Sequence, residues 1–140
     1  MKGKIIFITG ASSGIGEGCA RKFASEGADL ILNARNTDKL NEMKSVLEAT
    51  YGIEVLLLPF DVRDRNAARS SIQSLQGKWE NIDVLINNAG LVIGFDKEFE
   101  GNLEEWDVVI DTNIKGLLNI TRIVTPGMVK RGKGHIINIG

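Results

Sequence analysis

The sequence predicts an α/β protein built on a doubly wound parallel sheet. Short apolar segments rich in β-branched residues alternate with amphipathic segments along all 140 residues. The short segments are apolar almost throughout, which indicates strands buried on both faces rather than strands with one face in water. Buried strands joined by helices form parallel sheets with helices on either side, and right-handed crossovers leave few other arrangements.

The first half of the chain begins with a strand over residues 4–9, which ends in a glycine-rich turn. Small and apolar residues at helical spacing predict a helix over residues 15–26, and an apolar run predicts a second strand over residues 30–33. Asn36 or Thr37 then caps a second helix. Its predicted inner face consists of Leu40, Met43, Val46 and Leu47.

The middle of the chain repeats this alternation. Residues 54–60 predict a third strand, with Pro59 near its end, where a missing amide donor costs least. Residues 64–76 predict a helix, and residues 83–87 predict a fourth strand. The expected inner face of this helix consists of Ala68, Ile72 and Leu75.

The pattern in the last part of the sequence predicts the longest helix of the chain. Asn102 opens this helix, with Glu105 three residues later as in a capping box, and Pro126 bends or ends it. Residues 136–139 predict a fifth strand. The sequence contains no internal repeat and no linker, so we expect residues 1–140 to form one domain. The C-terminal strands of this domain are expected to be missing. The apolar positions of the long helix include Trp106, Val109, Ile110, Leu117 and Val124.

Composition narrows the possible partners and location. Hydrophobic residues make up 43% and charged residues 25%, and the formal net charge is −1, so no basic field would attract nucleic acid or an acidic membrane. The single cysteine, Cys19, is expected to be a small buried residue and cannot form an internal disulfide. No apolar run approaches a membrane span. We expect a cytoplasmic protein that contacts neither membrane nor nucleic acid, without a metal site.

The turn after the first strand reads Thr-Gly-Ala-Ser-Ser-Gly-Ile-Gly over residues 9–16. Gly10 can adopt backbone angles barred to other residues, Gly14 allows a pyrophosphate to approach the main chain, and Gly16 allows the helix to pack closely. The helix N-terminus then offers free N–H groups to a phosphate. Taken alone, such glycines could equally serve only the turn.

Three further features give this turn a context. The spacing Thr-Gly-x-x-x-Gly-x-Gly resembles that of the short-chain dehydrogenase/reductase family, whose second signature is similar to Asn-Asn-Ala-Gly at residues 87–90. Asp61 at the end of strand three and Asn113 within the long helix also match the family pattern in position. The resemblance covers the whole chain and implies a Rossmann fold that binds a nicotinamide cofactor.

The resemblance assigns a role to each of these positions. Asp61 and Val62 would hold the adenine, while the stretch Asn87, Asn88, Ala89 and Gly90 would line the adenine ribose and the nicotinamide side. Two alternatives remain open here: Asp61 could cap the following helix, and the Asn87 amide could clamp the backbones of neighbouring strands. The cofactor's phosphates and ribose would meet Gly10, Ser12, Ser13, Gly14, Ile15 and Gly16.

The resemblance also implies a catalytic group of Asn, Ser, Tyr and Lys, of which only Asn113 is present. Asn113 would bend the long helix so that its main-chain carbonyl holds a water; the alternative is a solvated polar residue. The only tyrosine, Tyr51, has no lysine four residues later, and the single histidine, His135, is expected to be structural or exposed. The 140-residue chain alone is therefore expected to be inactive.

The residues after the second strand indicate which nicotinamide cofactor binds. NAD-selective folds place an acidic residue about 20 residues past the glycine motif. Here Ala34 occupies that position and Arg35 follows it. An arginine fork suits a 2′-phosphate in charge and geometry, so the sequence favours NADP over NAD.

The substrate is less well defined. Residues 81–91, 110–117 and 126–129 resemble the family subgroup that oxidises 3-hydroxy acids such as serine and allo-threonine. The resemblance thus implies a small hydroxy or carbonyl substrate and a homo-oligomer when the protein is intact. Two alternatives are a non-catalytic NADP-binding or sensor module, and a flavodoxin- or receiver-like module in which Asp61 is a switch acid.

Overall fold

The computed structural model describes residues 1–140 and shows a parallel sheet between two layers of helices. Five strands and five α-helices alternate along the chain, with a π-helical segment, Asp111–Gly116, between the last two helices. In chain order the elements are β1 (Ile5–Ile8), α1 (Gly14–Ser25), β2 (Asp29–Leu32), α2 (Thr37–Tyr51), β3 (Val55–Leu57), α3 (Arg65–Gln73), β4 (Val84–Asn87), α4 (Leu103–Ile110), α5 (Leu117–Arg131) and β5 (His135–Asn138).

The strand order is β3-β2-β1-β4-β5, and every neighbouring pair is parallel. The chain winds outward from β1 to β3, then returns to the other side of β1 and winds outward again to β5. This confirms the predicted doubly wound sheet. In such sheets a crevice forms at the carboxyl ends of the two strands where the winding reverses, which here are β1 and β4.

The strand side chains alternate between two cores. Ile6 and Ile8 pack on the side of α1 and α2, whereas Ile5 and Phe7 pack on the side of α3 and α5. All four side chains of β1 are buried, as the apolar run predicted. The position of β1 at the centre of the sheet follows from this burial on both faces.

Side-chain caps set the beginning of three helices. Asn36, rather than Thr37, caps α2; Asp64 caps α3; and Asn102 caps α4, each accepting a hydrogen bond from a backbone N–H in the first turn. Val46 was expected on the inner face of α2 but is exposed, while the other three residues of that face are buried.

The third strand is shorter than expected. The strand ends at Leu57, because the carbonyls that follow bond to a side chain instead of a neighbouring strand. Asn33 Nδ2 donates to the Leu58 carbonyl at 2.9 Å and to the Phe60 carbonyl at 3.0 Å. Pro59 lies between these two carbonyls and has no N–H for a ladder. The buried Asn33 therefore holds the segment that leads to Asp61.

The long C-terminal helix continues through Pro126 to Arg131 instead of ending at the proline. One face of α5 is buried at Ile120, Val124 and Met128. This packing offsets the loss of the backbone hydrogen bond that proline cannot donate. Trp106 and Ile110, which were expected to be apolar contacts, are exposed on α4.

Two single-copy residues lie away from the sheet's carboxyl edge. Cys19 is half-buried and packs against the core on the α1 side. His135 is exposed at the start of β5, as expected. None of the helices combines the length and the apolar run needed to cross a lipid bilayer.

Candidate functional site

A cavity of about 340 Å³ opens at the carboxyl ends of β1 to β4. It lies at the point where the winding of the sheet reverses, which is where ligands bind in open α/β sheets. The residues that line it come from five separate segments: Gly10, Ser12, Ser13, Gly14 and Ile15; Asn33, Ala34 and Arg35; Phe60, Asp61 and Val62; Asn88, Ala89, Gly90 and Leu91; and Thr112 of the π-helical segment.

The glycine-rich turn leaves the floor of the cavity open. Gly14 has φ +54°, and no heavy atom lies within 4 Å of the position that a Cβ would take there. Ser13 is the N-cap of α1, yet its side chain makes no capping hydrogen bond. The turn therefore presents a bare stretch of main chain, a free hydroxyl and a helix N-terminus to whatever occupies the cavity, a combination suited to a phosphate.

Gly16 does not line the cavity, although the sequence placed it there. A Cβ on Gly16 would overlap the Gly10 carbonyl oxygen and the Asn88 side-chain nitrogen. Gly10 is equally crowded, since a Cβ there would lie 2.8 Å from Ala89 Cα. These two glycines allow α1 and the segment after β4 to pack against the turn.

Hydrogen bonds join the glycine-rich turn to the segment after β4. The Asn88 side-chain nitrogen donates to the Thr9 carbonyl at 3.3 Å and to the Gly10 carbonyl at 3.0 Å. In return, the Thr9 hydroxyl oxygen accepts from the backbone N–H groups of Asn88 and Ala89 at 3.1 and 3.0 Å. We call this set of contacts the Thr9–Asn88 junction.

Asn87 also points away from the cavity. Its Nδ2 donates to Thr121 Oγ1 at 3.0 Å and to Asn138 Oδ1 at 2.9 Å, and its own Oδ1 is buried without a partner. The suggestion that Asn87 clamps the backbones of neighbouring strands is wrong, because its partners are side chains on α5 and β5. The backbone clamp is Asn88, the next residue.

Asn113 lies within the π-helical segment and outside the cavity lining. Its Oδ1 accepts from the Leu91 N–H at 2.8 Å, and its Nδ2 donates to the Leu91 carbonyl at 2.9 Å. A solvated side chain is therefore excluded. The paired bonds tie the long helix to the segment after β4, and the wider helical turn at Asn113 is of the kind often found at functional sites.

Arg35 also lines the cavity; its side chain is 66% exposed and its Nη1 lies 4.0 Å from Asp61 Oδ2. Ala34 beside it is buried. The guanidinium makes no closer contact with a carboxylate, so most of its donors are free at the mouth of the cavity.

The Asp61 carboxylate is held mainly by Arg63. Arg63 Nη2 donates to Asp61 Oδ2 at 2.7 Å, and the Arg63 backbone N–H donates to Asp61 Oδ1 at 2.9 Å. The hydrogen bonds from the Arg63 side chain lower the pKa of Asp61, with a smaller contribution from the charge of Arg35. The proposed capping role for Asp61 is wrong, because Asp64 caps α3.

Several cavity residues were missed in the sequence. Asn33 follows β2 directly, so the position of a polar residue at a strand's carboxyl end was the available signal for it. Phe60, Leu91 and Thr112 carry no such signal, since only the fold brings them to the cavity.

Comparison with known proteins assigns this chain to a protein family. The family model described as short chain dehydrogenase matches residues 4–140. The chain belongs to this family. Membership removes the flavodoxin- or receiver-like alternative and confirms the resemblance seen in the signature residues.

A curated short-chain dehydrogenase similar to this chain is the NADP-dependent 3-hydroxy acid dehydrogenase YdfG of Salmonella typhi. The two are 45% identical over 136 residues, which cover 97% of this chain and 53% of that protein. The chain thus spans about half the length of these curated relatives.

Solved structures of short-chain dehydrogenases confirm the Rossmann fold. The crystal structure of serine dehydrogenase from Escherichia coli superposes with a TM-score of 0.91 at 43% identity, covering 97% of this chain and 61% of that chain. The closed form of serine dehydrogenase complexed with NADP+ superposes with a TM-score of 0.89 at 43% identity, covering 97% of this chain and 53% of that chain.

The crowding at Gly16 leads to a prediction about stability. We expect Gly16→Ala to lower the free energy of unfolding by about 1–3 kcal/mol, because overpacking a close contact forces the backbone to shift. Gly18→Ala is the matched control on the same helix, since its Cβ would meet no heavy atom within 4 Å. Alanine there should stabilise by about 0.5–1 kcal/mol. Urea denaturation of both variants measures the difference, and equal effects of the same sign would contradict the account of this contact.

Proposed function

We propose that the intact protein is an NADP-dependent dehydrogenase that transfers a hydride between NADP and a small hydroxy or carbonyl substrate. The observation that carries this proposal is the cavity at the carboxyl ends of β1 to β4, where an open glycine-rich turn and an exposed arginine line the same site. Family membership supports the same reaction class.

The residues of the cavity fit NADP. Gly14 leaves space for a pyrophosphate against the main chain, and the α1 N-terminus with the free Ser13 hydroxyl supplies donors to it. Ser12 and Ile15 would contact the adjoining ribose. Ala89 and Gly90, which also line the cavity, would face the adenine ribose and the nicotinamide side.

Arg35 and Asp61 would hold the adenosine end. Arg35 is exposed and offers several donors to a 2′-phosphate, while the buried Ala34 leaves no acid that would repel it. The Asp61 carboxylate would accept a hydrogen bond from the exocyclic amine of adenine, with Val62 against the ring. The names of the relatives, which include NADP-dependent 3-hydroxy acid dehydrogenases, support NADP as the cofactor.

The reaction depends on the cofactor for its redox step and on the protein for placement. Bound NADP⁺ supplies a nicotinamide that accepts the hydride released from the carbon of an alcohol. Through its two hydrogen bonds to Leu91, Asn113 holds the π-helical segment beside the cavity wall. We propose that its main-chain carbonyl holds a water of the proton relay, in accordance with the family pattern.

Asn87 would support the nicotinamide side indirectly. Its hydrogen bonds to Thr121 and Asn138 join β4 to α5 and β5 directly behind the Ala89–Gly90 wall.

The inactivity of the 140-residue chain alone and the homo-oligomeric state of the intact protein remain predictions. Three exposed apolar side chains, Ile110, Ile114 and Leu118, are spaced four residues apart along the long helix.

For the substrate we propose a 3-hydroxy acid. The support comes from relatives named as 3-hydroxy acid dehydrogenases at 43–45% identity and from the structural similarity to serine dehydrogenase. Serine and allo-threonine both carry a hydroxyl on the carbon next to the one bearing the amine. The hydride would leave from the carbon that bears the hydroxyl.

The cofactor preference is tested by titration. We expect the intact protein to bind NADPH about ten- to 150-fold more tightly than NADH, since a hydrogen bond to a charged group contributes about 1.5–3 kcal/mol. Arg35→Ala should remove this difference, and Ala34→Asp should reverse it. Fluorescence titration with both cofactors gives the ratio of dissociation constants for each variant.

The control for this titration is Arg69→Ala. Arg69 is an exposed arginine outside the cavity lining, so its loss changes the net charge equally without touching the site. Equal affinity of the unmutated protein for the two cofactors would remove Arg35 from the 2′-phosphate site.

The reaction itself is tested with the intact protein and NADP⁺. We expect NADPH formation with L-serine, L-allo-threonine or 3-hydroxybutyrate, followed at the absorbance of the reduced nicotinamide. Gly14→Val should abolish turnover, because a branched side chain would fill the space against the main chain and the positive φ disfavours it. NADPH binding without turnover of any hydroxy acid would favour the sensor alternative.

A further inference from the structure

Arg63 does not line the cavity, yet its side chain makes closer contacts with Asp61 than any other group does. Its Nε lies 3.1 Å from both carboxylate oxygens of Asp61, and its Nη2 lies 2.7 Å from Oδ2. Asp61 lines the cavity and Arg63 stands outside it. The guanidinium therefore holds the carboxylate from the side away from the ligand.

The number of acceptor positions left on Asp61 is informative. An ionised carboxylate offers about four lone-pair positions. Three donors use them here: the Arg63 backbone N–H, which bonds to Oδ1, Nη2, which bonds to Oδ2, and Nε, which is shared between both oxygens. About one acceptor position remains, and a single N–H from a ligand in the cavity would satisfy it.

The same contacts fix the charge and orientation of Asp61. Its other basic neighbour, Arg35, is more distant at 4.0 Å, and its side chain is 66% exposed, against 34% for Arg63. A carboxylate held by a planar fork stays ionised and cannot rotate freely. An ionised carboxylate is an acceptor only and cannot donate.

We propose that Arg63 is a positioning residue that makes the site selective for adenine over hypoxanthine by holding Asp61 as a fixed, ionised acceptor. This inference rests on the proposed function, in which Asp61 receives the adenine amine. Adenine presents an N–H donor at its position 6, whereas hypoxanthine presents a carbonyl oxygen there. Two acceptors facing each other form no hydrogen bond and repel, so only adenine satisfies the remaining position on Asp61.

A purely structural role for Arg63 makes a different prediction. If Arg63 only fastened the turn before α3, its replacement would weaken binding of every nucleotide by the same factor. If Arg63 positions Asp61, its replacement lets the carboxylate rotate away from the orientation that faces the base. Selectivity between the two bases then falls.

The test measures dissociation constants of NADPH and of its deaminated analogue, the hypoxanthine dinucleotide phosphate, with the intact protein. The unmutated protein should prefer NADPH by about tenfold or more, as expected for a hydrogen bond to a charged group. Arg63→Met should reduce this preference at least about fivefold while leaving the NADPH/NADH preference, which depends on Arg35, unchanged. Arg63→Lys should restore part of it, because lysine keeps the charge without the fork.

Two controls separate the possible failures. Arg69→Met removes an exposed arginine from α3 without contact to Asp61 and should change neither preference. Circular dichroism checks the fold of Arg63→Met, and Arg63→Gln is the second variant if methionine disturbs it.

Each outcome has a distinct meaning. Failure of the unmutated protein to bind NADPH overturns the proposed function, and this inference with it. Binding of NADPH without preference over the analogue overturns the adenine role of Asp61. A preference that survives unchanged in Arg63→Met and Arg63→Gln overturns the role of Arg63 alone.

Discussion

The site depends on the junction at which Thr9 and Asn88 exchange hydrogen bonds. Thr9 directly follows the central strand, β1, and Asn88 directly follows β4, the strand paired beside it. The Thr9 hydroxyl satisfies two N–H groups of the second signature, while the Asn88 amide satisfies two carbonyls of the glycine-rich turn. Buried polar groups need such partners, so the two segments can be satisfied together only when they lie side by side. This fixes the positions of the two segments that line the cavity relative to each other.

Around this junction, amides rather than charged groups shape the site. Asn33 holds the segment that leads to Asp61, and Asn113 ties the π-helical segment to Leu91. Asn33 donates to two backbone carbonyls, and Asn113 both donates to and accepts from the Leu91 backbone. Amides thus bridge backbone groups without introducing charge near the proposed phosphate site. The charged groups are confined to the adenosine end, where Arg35 and Arg63 flank Asp61 from two directions. This arrangement leaves the glycine-rich turn to bind through its main chain and the Ser13 hydroxyl.

The sequence was sufficient for what depends on local pattern. Apolar runs predicted all five strands to within a few residues, and the glycine spacing predicted the turn, because both features depend on residues that are consecutive in the sequence. It was insufficient where a side chain acts across the fold. Asn87 and Asn88 are adjacent and chemically identical, and only the pleat of β4 decides that Asn88 clamps the turn while Asn87 bonds to Thr121 and Asn138. In the same way, the proximity of Arg63 to Asp61 follows from the turn between β3 and α3 rather than from a motif.

The central claim is that the Thr9–Asn88 junction acts as one unit that holds the cofactor site. A double-mutant cycle of Thr9→Val and Asn88→Ala, with NADPH affinity measured for the intact protein, tests it most directly. Each single variant should lose about tenfold or more in affinity, equivalent to about 1.4 kcal/mol, and the double variant should bind little worse than the weaker single variant. Losses that add fully in the double variant, or single variants that bind NADPH as tightly as the unmutated protein, would contradict the claim.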